Sequence, residues 1–356
     1  MKNELYIVSS VFHLLISVAV SAVRNQSKPY FVFIRFNEAR YQQLVGCLSG
    51  FVESSEQLYY LDSDSNAAKK RKLNAIKLLD FAKRHEIQQV FVGNDRHVEF
   101  QYLAYHLKKA VPSLKCVYLD EGLYSYLGRG ASKSFAERVI NQGLKKLFYG
   151  LWWQTPATIG ASSYVDEAWL AYPDQACETL RSKSIKQLPL KGFDSGIFQS
   201  FIACWGALYD LPPTLQSADF VITITDEKNF TKFTNYRQSV TDLVSMLVDQ
   251  GKTIAVKYHP NANNCDLLNL QSLSERVMIL PSGIPFEVLL PLLSKATLIA
   301  EFSSTLITSR LLVPSMGVWA VVHESAVMQV ELDRLCRALE IQQLTIPELT
   351  QKVLEA

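Results

Sequence analysis

The sequence predicts an α/β protein with two facing Rossmann-like domains and a cleft between them. Three observations lead to this prediction. The chain has 356 residues, which is long for a single hydrophobic core. Short apolar runs alternate with longer stretches of helical period along both halves, as in parallel sheets covered by helices. A polar, basic stretch at 181–192 interrupts the alternation, so we expect domains at 1–180 and 193–356 joined by this linker.

In the first half, short apolar runs predict strands and the helices lie between them. The predicted strands are Glu4–Val8, Tyr30–Ile34, Gln57–Leu61, Gln89–Phe91, Lys115–Leu119 and Val165–Ala171. The predicted helices are Val11–Val23, Arg40–Leu48, Asn66–His85 and His97–Ala110. The apolar run 5–23 is long enough for a membrane span. Because Ser9, Ser10 and His13 interrupt it, we expect a strand followed by a buried helix instead.

The second half repeats this alternation of apolar runs and helical stretches. The predicted strands are Phe220–Thr225, Thr253–Val256, Val277–Leu280, Thr297–Ala300 and Gly317–Val322. The predicted helices are Gly196–Tyr209, Tyr236–Gln250, Pro285–Leu293, Ser304–Leu312, Met328–Leu339 and Pro347–Glu355. Thr345 and Glu348 have the spacing of a capping box, which predicts the start of the last helix.

The composition bounds the class of protein. The chain is 48% hydrophobic and 20% charged, which is typical of a soluble globular protein. A formal net charge of +2 gives no reason to expect a nucleic-acid partner. The six cysteines are scattered and form no Cys-x-x-Cys pair. They predict reduced, buried thiols and a cytoplasmic location.

A segment at 133–153 combines basic residues with a cluster of Phe, Tyr and Trp side chains. This combination suits a helix on an anionic membrane surface, which would place the protein peripherally on the inner face of the inner membrane. It equally suits a helix packed on its own domain or on the partner subunit of a homodimer. We favour packing and keep the membrane contact as a hypothesis.

Lys257-Tyr258-His259-Pro260 follows an apolar run that predicts a buried parallel strand. Pro260 cannot extend the strand, and Lys257 and His259, two residues apart, share one face at its end. Ligands of open α/β sheets bind at this end of the strands. A lysine that neutralises charge and a histidine that donates a proton suit an anionic leaving group. The alternative is a solvated lysine and an ordinary loop histidine.

Asp120-Glu121-Gly122 follows the predicted strand Lys115–Leu119 directly. Glycine lets the backbone turn, and adjacent carboxylates raise each other's pKa. The triplet therefore suits a general base, and the alternative is a solvated acidic turn.

Polar residues follow two other predicted strands of the first half. Asn94 and Asp95 could hydrogen-bond a hydroxylated substrate, or could form an Asx turn or helix cap. Ser10 and His13 lie at the mouth of the first strand, where His13 could also be a satisfied core histidine.

Asp62-Ser63-Asp64 has the Asp-x-Asp pattern that can hold a divalent metal and a nucleotide diphosphate. The alternative is that Asp64 or Ser65 caps the helix that follows.

Two sites in the second half suit a nucleotide. Ser303 and Ser304 place hydroxyls at a predicted helix start, where free backbone amides bind phosphate. The alternative is ordinary capping of that helix. Pro285 can start a helix with Glu287 in its first turn, where a carboxylate could chelate a ribose diol or interact with the helix dipole.

Together these motifs resemble those of the bacterial GT-B sialyltransferases, which include lipooligosaccharide sialyltransferases and capsule polysialyltransferases. Asp120-Glu121-Gly122, His259-Pro260 and Ser303-Ser304 are similar to the family's acidic–acidic–Gly, His-Pro and Ser-Ser motifs, in the same order. Ile284–Leu289 resembles a family segment that grips CMP. Ser10–His13 departs from the Pro-containing first loop of these enzymes, so acceptor contacts there are in doubt.

The resemblance implies a GT-B fold and inverting transfer of sialic acid from CMP-sialic acid to a hydroxyl of a glycan, such as lipooligosaccharide or capsule. It implies Glu121 as the general base, with Asp120 orienting it, and His259 stabilising or protonating the departing CMP phosphate. The implied CMP-sugar contacts are Lys257, Pro260, Gly283, Glu287, Ser303 and Ser304. The weaker acceptor contacts are Ser10, His13, Asn94 and Asp95. No metal or other cofactor is expected.

Three other functions stay open on sequence grounds. A GT-B enzyme that uses CMP-Kdo or another CMP-nonulosonic acid would carry the same motifs. A non-catalytic glycan-binding or nucleotide-binding protein could keep the fold. A metal-dependent nucleotidyl enzyme would use Asp62 and Asp64.

Overall fold

The chain forms two compact units, Met1–Trp205 and Gly206–Ala356, each built on one parallel sheet. The computed structural model describes residues 1–62, 68–128, 143–232, 235–262, 266–301, 303–322 and 330–355. The predicted class of two parallel-sheet α/β domains is confirmed.

The first unit has a sheet of seven strands in the order β3-β2-β1-β4-β5-β6-β7. The strands are β1 (Lys2–Val8), β2 (Ser27–Ile34), β3 (Leu58–Leu61), β4 (Gln89–Val92), β5 (Lys115–Leu119), β6 (Glu167–Leu170) and β7 (Ser184–Gln187). The helices are α1 (Val11–Ala22), α2 (Glu38–Leu48), α3 (Ala68–Arg84), α4 (Val98–Ala110), α5 (Leu123–Leu127), α6 (helical residues 143–149) and α7 (Gly196–Gly206). The central strands and the inner faces of α3 and α4 form one hydrophobic core.

The second unit has a sheet of six strands in the order β10-β9-β8-β11-β12-β13. The strands are β8 (Phe220–Ile224), β9 (Ile254–Tyr258), β10 (Val277–Leu280), β11 (Thr297–Glu301), β12 (Val318–Val322) and β13 (Gln342–Thr345). The helices are α8 (Tyr236–Asp249), α9 (Phe286–Leu289), α10 (Ser304–Leu312), α11 (Val330–Ala338) and α12 (Ile346–Glu355). A second core joins α8 and α12 to β8 and β9.

Each sheet has one point at which the strand order reverses. In the first unit it lies between β1 and β4, and in the second between β8 and β11. Loops at such a switch point diverge to opposite faces of the sheet and leave a crevice for a ligand at the carboxyl ends. The predicted motifs at Ser10, Asn94, Asp120, His259 and Ser303 follow these strands or their immediate neighbours, whereas Asp62 follows β3 and Glu287 follows β10.

The segment expected to be a linker, 181–192, contains β7, which pairs in parallel with β6. The boundary between the two compact units lies between Trp205 and Gly206, later in the chain than the sequence suggested. Both β7 and β13, the edge strands that the sequence analysis did not predict, are polar and largely accessible. Because an edge strand has one neighbour and faces solvent, it lacks the apolar run that marks a central strand.

The remaining element predictions agree with the structure within a few residues. Residues 5–23 form β1 and α1, as predicted. The helix predicted at 285–293 is α9 followed by a turn of 3-10 helix, Leu290–Leu293. At α12, the backbone N–H of Thr345 donates to Glu348 Oε2 at 2.8 Å and the N–H of Glu348 donates to Thr345 Oγ1 at 3.5 Å, which confirms the capping box. The predicted start of the helix at 328 lies outside the described residues.

The cysteines largely agree with the prediction of free thiols. Four of those described are buried, and Cys204 is exposed, which corrects the expectation that all are buried. Cys265 lies outside the described residues.

Candidate active site

Asp120 directly follows β5, and three hydrogen bonds hold its carboxylate. It is 1% exposed. Its carboxylate accepts from the backbone N–H groups of Gly122 and Ala171, both at 2.9 Å, and from the hydroxyl of Tyr126. Burial raises the pKa of Asp120, and these hydrogen bonds oppose the rise. Through these contacts Asp120 joins the turn after β5 to the end of β6, and its role in orienting Glu121 stays a prediction.

Glu121, the next residue, has a carboxyl oxygen that is free to accept a hydrogen bond. It is partly buried, and among the described residues no hydrogen-bond partner contacts its enclosed Oε2 atom. Burial, and then the charges of Asp120 and Asp95, raise the pKa of Glu121 to about 8. A carboxylate with an unpaired oxygen and a pKa near the working pH can accept a proton from a substrate hydroxyl.

The backbone at Gly122 explains why the triplet ends in glycine. Its φ of 90° and ψ of −133° lie in a region that other residues rarely adopt. This turn starts α5, and the N–H of Glu121 donates to Ser125 Oγ at 3.2 Å. The position of Glu121 is therefore set by a turn that a side chain at position 122 would strain.

Asp95 corrects an expectation from the sequence. It is 0% exposed, and its two carboxylate oxygens accept from the backbone N–H groups of Gly160 at 2.8 Å and Ser162 at 2.7 Å. Instead of contacting an acceptor, it anchors a loop beside Glu121. Asn94 Oδ1 accepts from the N–H of Arg96 at 3.0 Å, which is the Asx turn considered as the alternative.

His13 is a buried ring at the switch point of the first sheet. It is 3% exposed, its Nδ1 is paired with Ser9 Oγ at 2.8 Å, and burial lowers its pKa to about 4. A Cβ at Gly93 would lie 2.1 Å from His13 Cδ2, so the ring packs directly on the turn after β4. Ser10 is exposed and accepts from the N–H of His13 at 3.2 Å as the cap of α1. This geometry favours the core-histidine alternative for His13.

In the second unit, His259 lies at the carboxyl end of β9. Its side chain is 41% exposed, and its backbone N–H donates to Ile224 O at 3.0 Å, next to the end of β8. Partial burial lowers the pKa of His259, and the nearby carboxylate of Asp226 opposes that shift. His259 therefore presents an accessible imidazole beside the switch point.

Lys257 is buried at the end of β9. It is 4% exposed, and its Nζ donates to the carbonyl oxygens of Tyr258 and Ser282, both at 2.9 Å. Burial lowers the pKa of Lys257 to about 8. These contacts join β9 to the turn after β10, so the alternative of a solvated lysine is wrong. Its contact with a phosphate stays a prediction.

Ser303 is the N-terminal cap residue of α10, but its side chain makes no capping hydrogen bond. The alternative of ordinary capping therefore does not describe its hydroxyl. Ser304, the first residue of the helix, is exposed. Hydroxyls and backbone amides at the start of α10 can bind an anion.

Glu301 and Tyr236 connect the two strands at the switch point of the second sheet. The hydroxyl of Tyr236 hydrogen-bonds the Glu301 carboxyl group and accepts from the N–H of Thr225 at 3.3 Å. Burial raises the pKa of Glu301 to about 7. The pair supports the base of the loop that carries Ser303.

The remaining predicted contacts to the CMP-sugar are Pro260, which follows β9, and Gly283 and Glu287, which follow β10. Glu287 is partly buried in the first turn of α9, and its charge raises the pKa of Lys257 against the effect of burial. Gly283 and Pro260 are exposed. These placements leave the predicted roles of the three residues open.

The Asp-x-Asp stretch is only partly described. Asp62 pairs with Lys70, and residues 63–67, which include Asp64, lie outside the described residues. In the described part of the chain, no group of three or more His, Cys, Asp or Glu side chains is placed to hold a metal ion.

The segment that begins near 133 is described from residue 143 onward. Trp153, 6% exposed, packs in a small core with Ala75 and Val98. The segment also exposes four large apolar side chains, called the stripe below: Leu144 (60%), Leu147 (85%), Phe148 (47%) and Leu151 (90%). Over the described ranges, no helix has both the length and the apolar character to cross a membrane.

The family model for alpha-2,8-polysialyltransferases (POLYST) matches residues 4–322. The chain belongs to the alpha-2,8-polysialyltransferase family. As the resemblance implied, this polysialyltransferase-family protein is a glycosyltransferase that transfers sialic acid to a glycan. No curated protein matches the chain.

Solved structures similar to this polysialyltransferase-family chain share its fold at low sequence identity. The α/β-galactoside α-2,3-sialyltransferase of Photobacterium phosphoreum is 13% identical, with a TM-score of 0.62 over 97% of this chain and 99% of that one. A putative UDP-N-acetylglucosamine 2-epimerase of Listeria monocytogenes is 12% identical, with a TM-score of 0.63 over 100% and 88%. The UDP-GlcNAc 2-epimerase of Methanocaldococcus jannaschii is 11% identical, with a TM-score of 0.59 over 100% and 92%. The fold is therefore GT-B, as the motifs implied.

Tyr126 and Asp226, which contact residues of the motifs, were not predicted from the sequence. Tyr126 holds Asp120, and Asp226 lies beside His259. The only available signal was position, because Asp226 follows β8 as Asp120 follows β5. Tyr126 gave no signal, since its contact depends on the turn at Gly122.

Proposed function

We propose that this enzyme transfers sialic acid from CMP-sialic acid to a glycan hydroxyl with inversion, and that Glu121 is the general base. The observation that carries the proposal is the Glu121 carboxyl group, with one unpaired oxygen and a pKa raised to about 8. At this pKa the carboxylate is basic enough to accept the acceptor proton as the new bond forms. Asp120 is less suited to this role, because it already accepts three hydrogen bonds.

On the side of the CMP-sugar, the second unit supplies groups that suit a departing phosphate. The accessible imidazole of His259 can donate a proton or hydrogen bond to a phosphate oxygen. Ser303, whose hydroxyl does not cap α10, and the first amides of that helix can bind other phosphate oxygens. CMP leaves as a phosphate monoester, so these groups could stabilise it without a metal ion.

The test is transfer from CMP-sialic acid to a panel of galactoside and sialoside acceptors, followed by mass spectrometry. Glu121→Gln and His259→Ala should each reduce turnover at least ~100-fold while the fold survives. Glu53→Gln, which makes the same change at an exposed carboxylate that pairs with Lys28, is the control for Glu121. A near-normal rate for Glu121→Gln would remove it from the base role.

The same assay separates the neighbouring functions. Transfer only from CMP-Kdo or another CMP-nonulosonic acid would change the sugar but keep the site. Binding of CMP with no transfer from any CMP-sugar would overturn the enzymatic proposal.

We further propose that the exposed stripe on residues 144–151 contacts an anionic bilayer, which would keep the enzyme on the inner face of the inner membrane. Leu144, Leu147 and Phe148 are spaced at i, i+3 and i+4 in α6, so they lie on one face of that helix, and Leu151 follows the break at Gly150. Lys145 and Lys146 are exposed beside the stripe. In a bilayer contact, the cationic side chains would bind anionic lipid headgroups, and the exposed apolar side chains would insert among the acyl chains below them.

The measurement is flotation with phosphatidylglycerol-containing vesicles and with purely zwitterionic ones. Leu147→Glu should abolish flotation with the anionic vesicles, while Leu208→Glu, which replaces another exposed leucine, should not. Trp152 and Trp153 are poor test positions because Trp153 belongs to a core. If Leu147→Glu instead converts a dimer to a monomer by light scattering and leaves flotation unchanged, the stripe is a subunit interface.

A further inference from the structure

The loop after β9 contains a contact that fixes how the imidazole of His259 carries its proton. The backbone N–H of Asn261 donates to His259 Nδ1 at 3.2 Å. A ring nitrogen that accepts a hydrogen bond carries no proton of its own, so the neutral ring has its proton on Nε2. The neutral imidazole can therefore donate a hydrogen bond from Nε2, the ring nitrogen that does not contact Asn261.

A carboxylate stands close to the same Nδ1 atom. Asp226 Oδ2 is 3.8 Å from His259 Nδ1, which is ion-pair distance and not a hydrogen bond. The residue follows β8, the strand at the switch point, and its side chain is 13% exposed. The two loops that carry Asp226 and His259 are thus adjacent at the carboxyl edge of the second sheet.

The Asp226 carboxylate is held in place from both loops. Oδ1 accepts from the N–H of Lys228 at 3.2 Å, and Oδ2 pairs with Lys228 Nζ at 2.8 Å. Asn261 Nδ2 also donates to Oδ2, at 3.3 Å. The hydrogen bonds from Lys228 lower the pKa of Asp226 to about 2, so it is ionised at any working pH.

We propose that Asp226 is a positioning residue that stabilises the protonated ring of His259 and the Nδ1–H ring left after proton transfer. This rests on the proposed role of His259 at the CMP phosphate. The protonated ring has a hydrogen on Nδ1 and can no longer accept from Asn261. When the Nε2 proton moves to a phosphate oxygen of the departing CMP, the Nδ1 proton stays, and Asp226 is the carboxylate beside it.

The charges that act on the ring come from three sources. Asp226 favours the protonated form, whereas Lys228, next to Asp226, and Lys257, in β9, disfavour it together with burial. Removing the charge of Asp226 alone should therefore shift the balance toward the neutral ring. A merely structural role for Asp226 would leave the ring's protonation unchanged.

The experiment is an NMR titration of histidine-labelled protein, with His259 assigned from the His259→Gln variant. In the wild type, the neutral ring should show the Nε2–H tautomer. Asp226→Asn should lower the pKa of His259 by about 0.5–1 unit, at the low end of ion-pair shifts because the ring is partly exposed. Glu227→Gln, which removes the same charge one residue along where it pairs with Arg237, is the matched control and should leave that pKa unchanged.

Turnover supplies the second measurement. Asp226→Asn should lower kcat about tenfold with a smaller change in the KM for CMP-sialic acid, because the group acts through His259. Asn261→Ala keeps the backbone N–H but removes the amide that holds Asp226, so it should shift the pKa of His259 in the same direction by less. This variant serves if Asp226→Asn does not fold.

The outcomes separate this inference from the proposed function. An unchanged pKa and tautomer of His259 in the folded Asp226→Asn protein would overturn the positioning role, whatever the turnover. Normal turnover of His259→Ala would overturn the function proposed for the ring, even where the NMR shifts follow expectation.

Discussion

At the scale of single residues, the adjacent carboxyl groups of Asp120 and Glu121 have different surroundings. Asp120 is saturated with hydrogen bonds from Gly122, Tyr126 and Ala171. Glu121 has an unpaired oxygen, and its pKa is raised by burial and by its neighbour's charge. Two titratable groups pushed into different states by their environments are what acid–base assignment requires.

This difference predicts the pH dependence of turnover. The acid limb of kcat/KM should have an apparent pKa of about 8 and not the ordinary value near 4.5, because Glu121 must be ionised to act as the base. A limb near the ordinary value in a pH–rate profile would contradict the assignment.

The same group predicts how stability depends on pH. Since the folded state raises the pKa of Glu121 to about 8, its contribution to stability is fully present below the ordinary value and is lost as pH rises through about 8. As pH rises through this range, the unfolding free energy of the wild type should therefore fall relative to that of Glu121→Gln. Urea unfolding at about pH 5 and about pH 9 measures it.

At the scale of elements, the site depends on turns at the carboxyl ends of strands. The turn after β5 has its glycine at φ 90°, and this turn sets the direction in which α5 leaves the sheet. The loop before α10 leaves a serine hydroxyl unused by the helix cap. Such turns hold functional groups because strands and helices fix both of their ends.

Gly122→Ala should lower the unfolding free energy by about 1–3 kcal/mol, because a Cβ is strained at this backbone conformation. It should also lower turnover, since Glu121 would move with the turn. Gly46→Ala is the control, because it lies inside α2 with nothing within 4 Å of an added Cβ. That control should be neutral or stabilising by up to about 1 kcal/mol. Equal effects of the two substitutions would show that the turn is not strained.

At the scale of the whole molecule, two parallel sheets each present polar groups at one edge. The first unit presents a carboxyl group that can accept a proton, and the second presents an imidazole, a hydroxyl and a helix N-terminus. Under the proposed function, the carboxyl group of the first unit would serve the glycan hydroxyl, and the groups of the second unit would serve the anionic leaving group.

From the groups available to the leaving phosphate, we expect sialic acid transfer to proceed at full rate in EDTA. Under the proposed function, His259, Ser303 and the start of α10 would supply the hydrogen bonds and positive potential that a metal ion gives in other enzymes. If EDTA abolished turnover and Mg²⁺ or Mn²⁺ restored it, this expectation would be wrong. A metal site at Asp62 and Asp64 would then be the alternative to test.

The fold class, most of the strands and helices, and the motifs of the family could be predicted from the sequence alone. This was possible because buried parallel strands are apolar runs and turns need particular residues, so both leave a local pattern. Tertiary structure decided the rest: that β7 is a strand, that Lys257 and Asp95 are buried, that Tyr126 holds Asp120, and that Asp226 lies beside His259. Those facts depend on which segments pack together, and burial or a distant partner leaves no mark on the residues nearby in the chain.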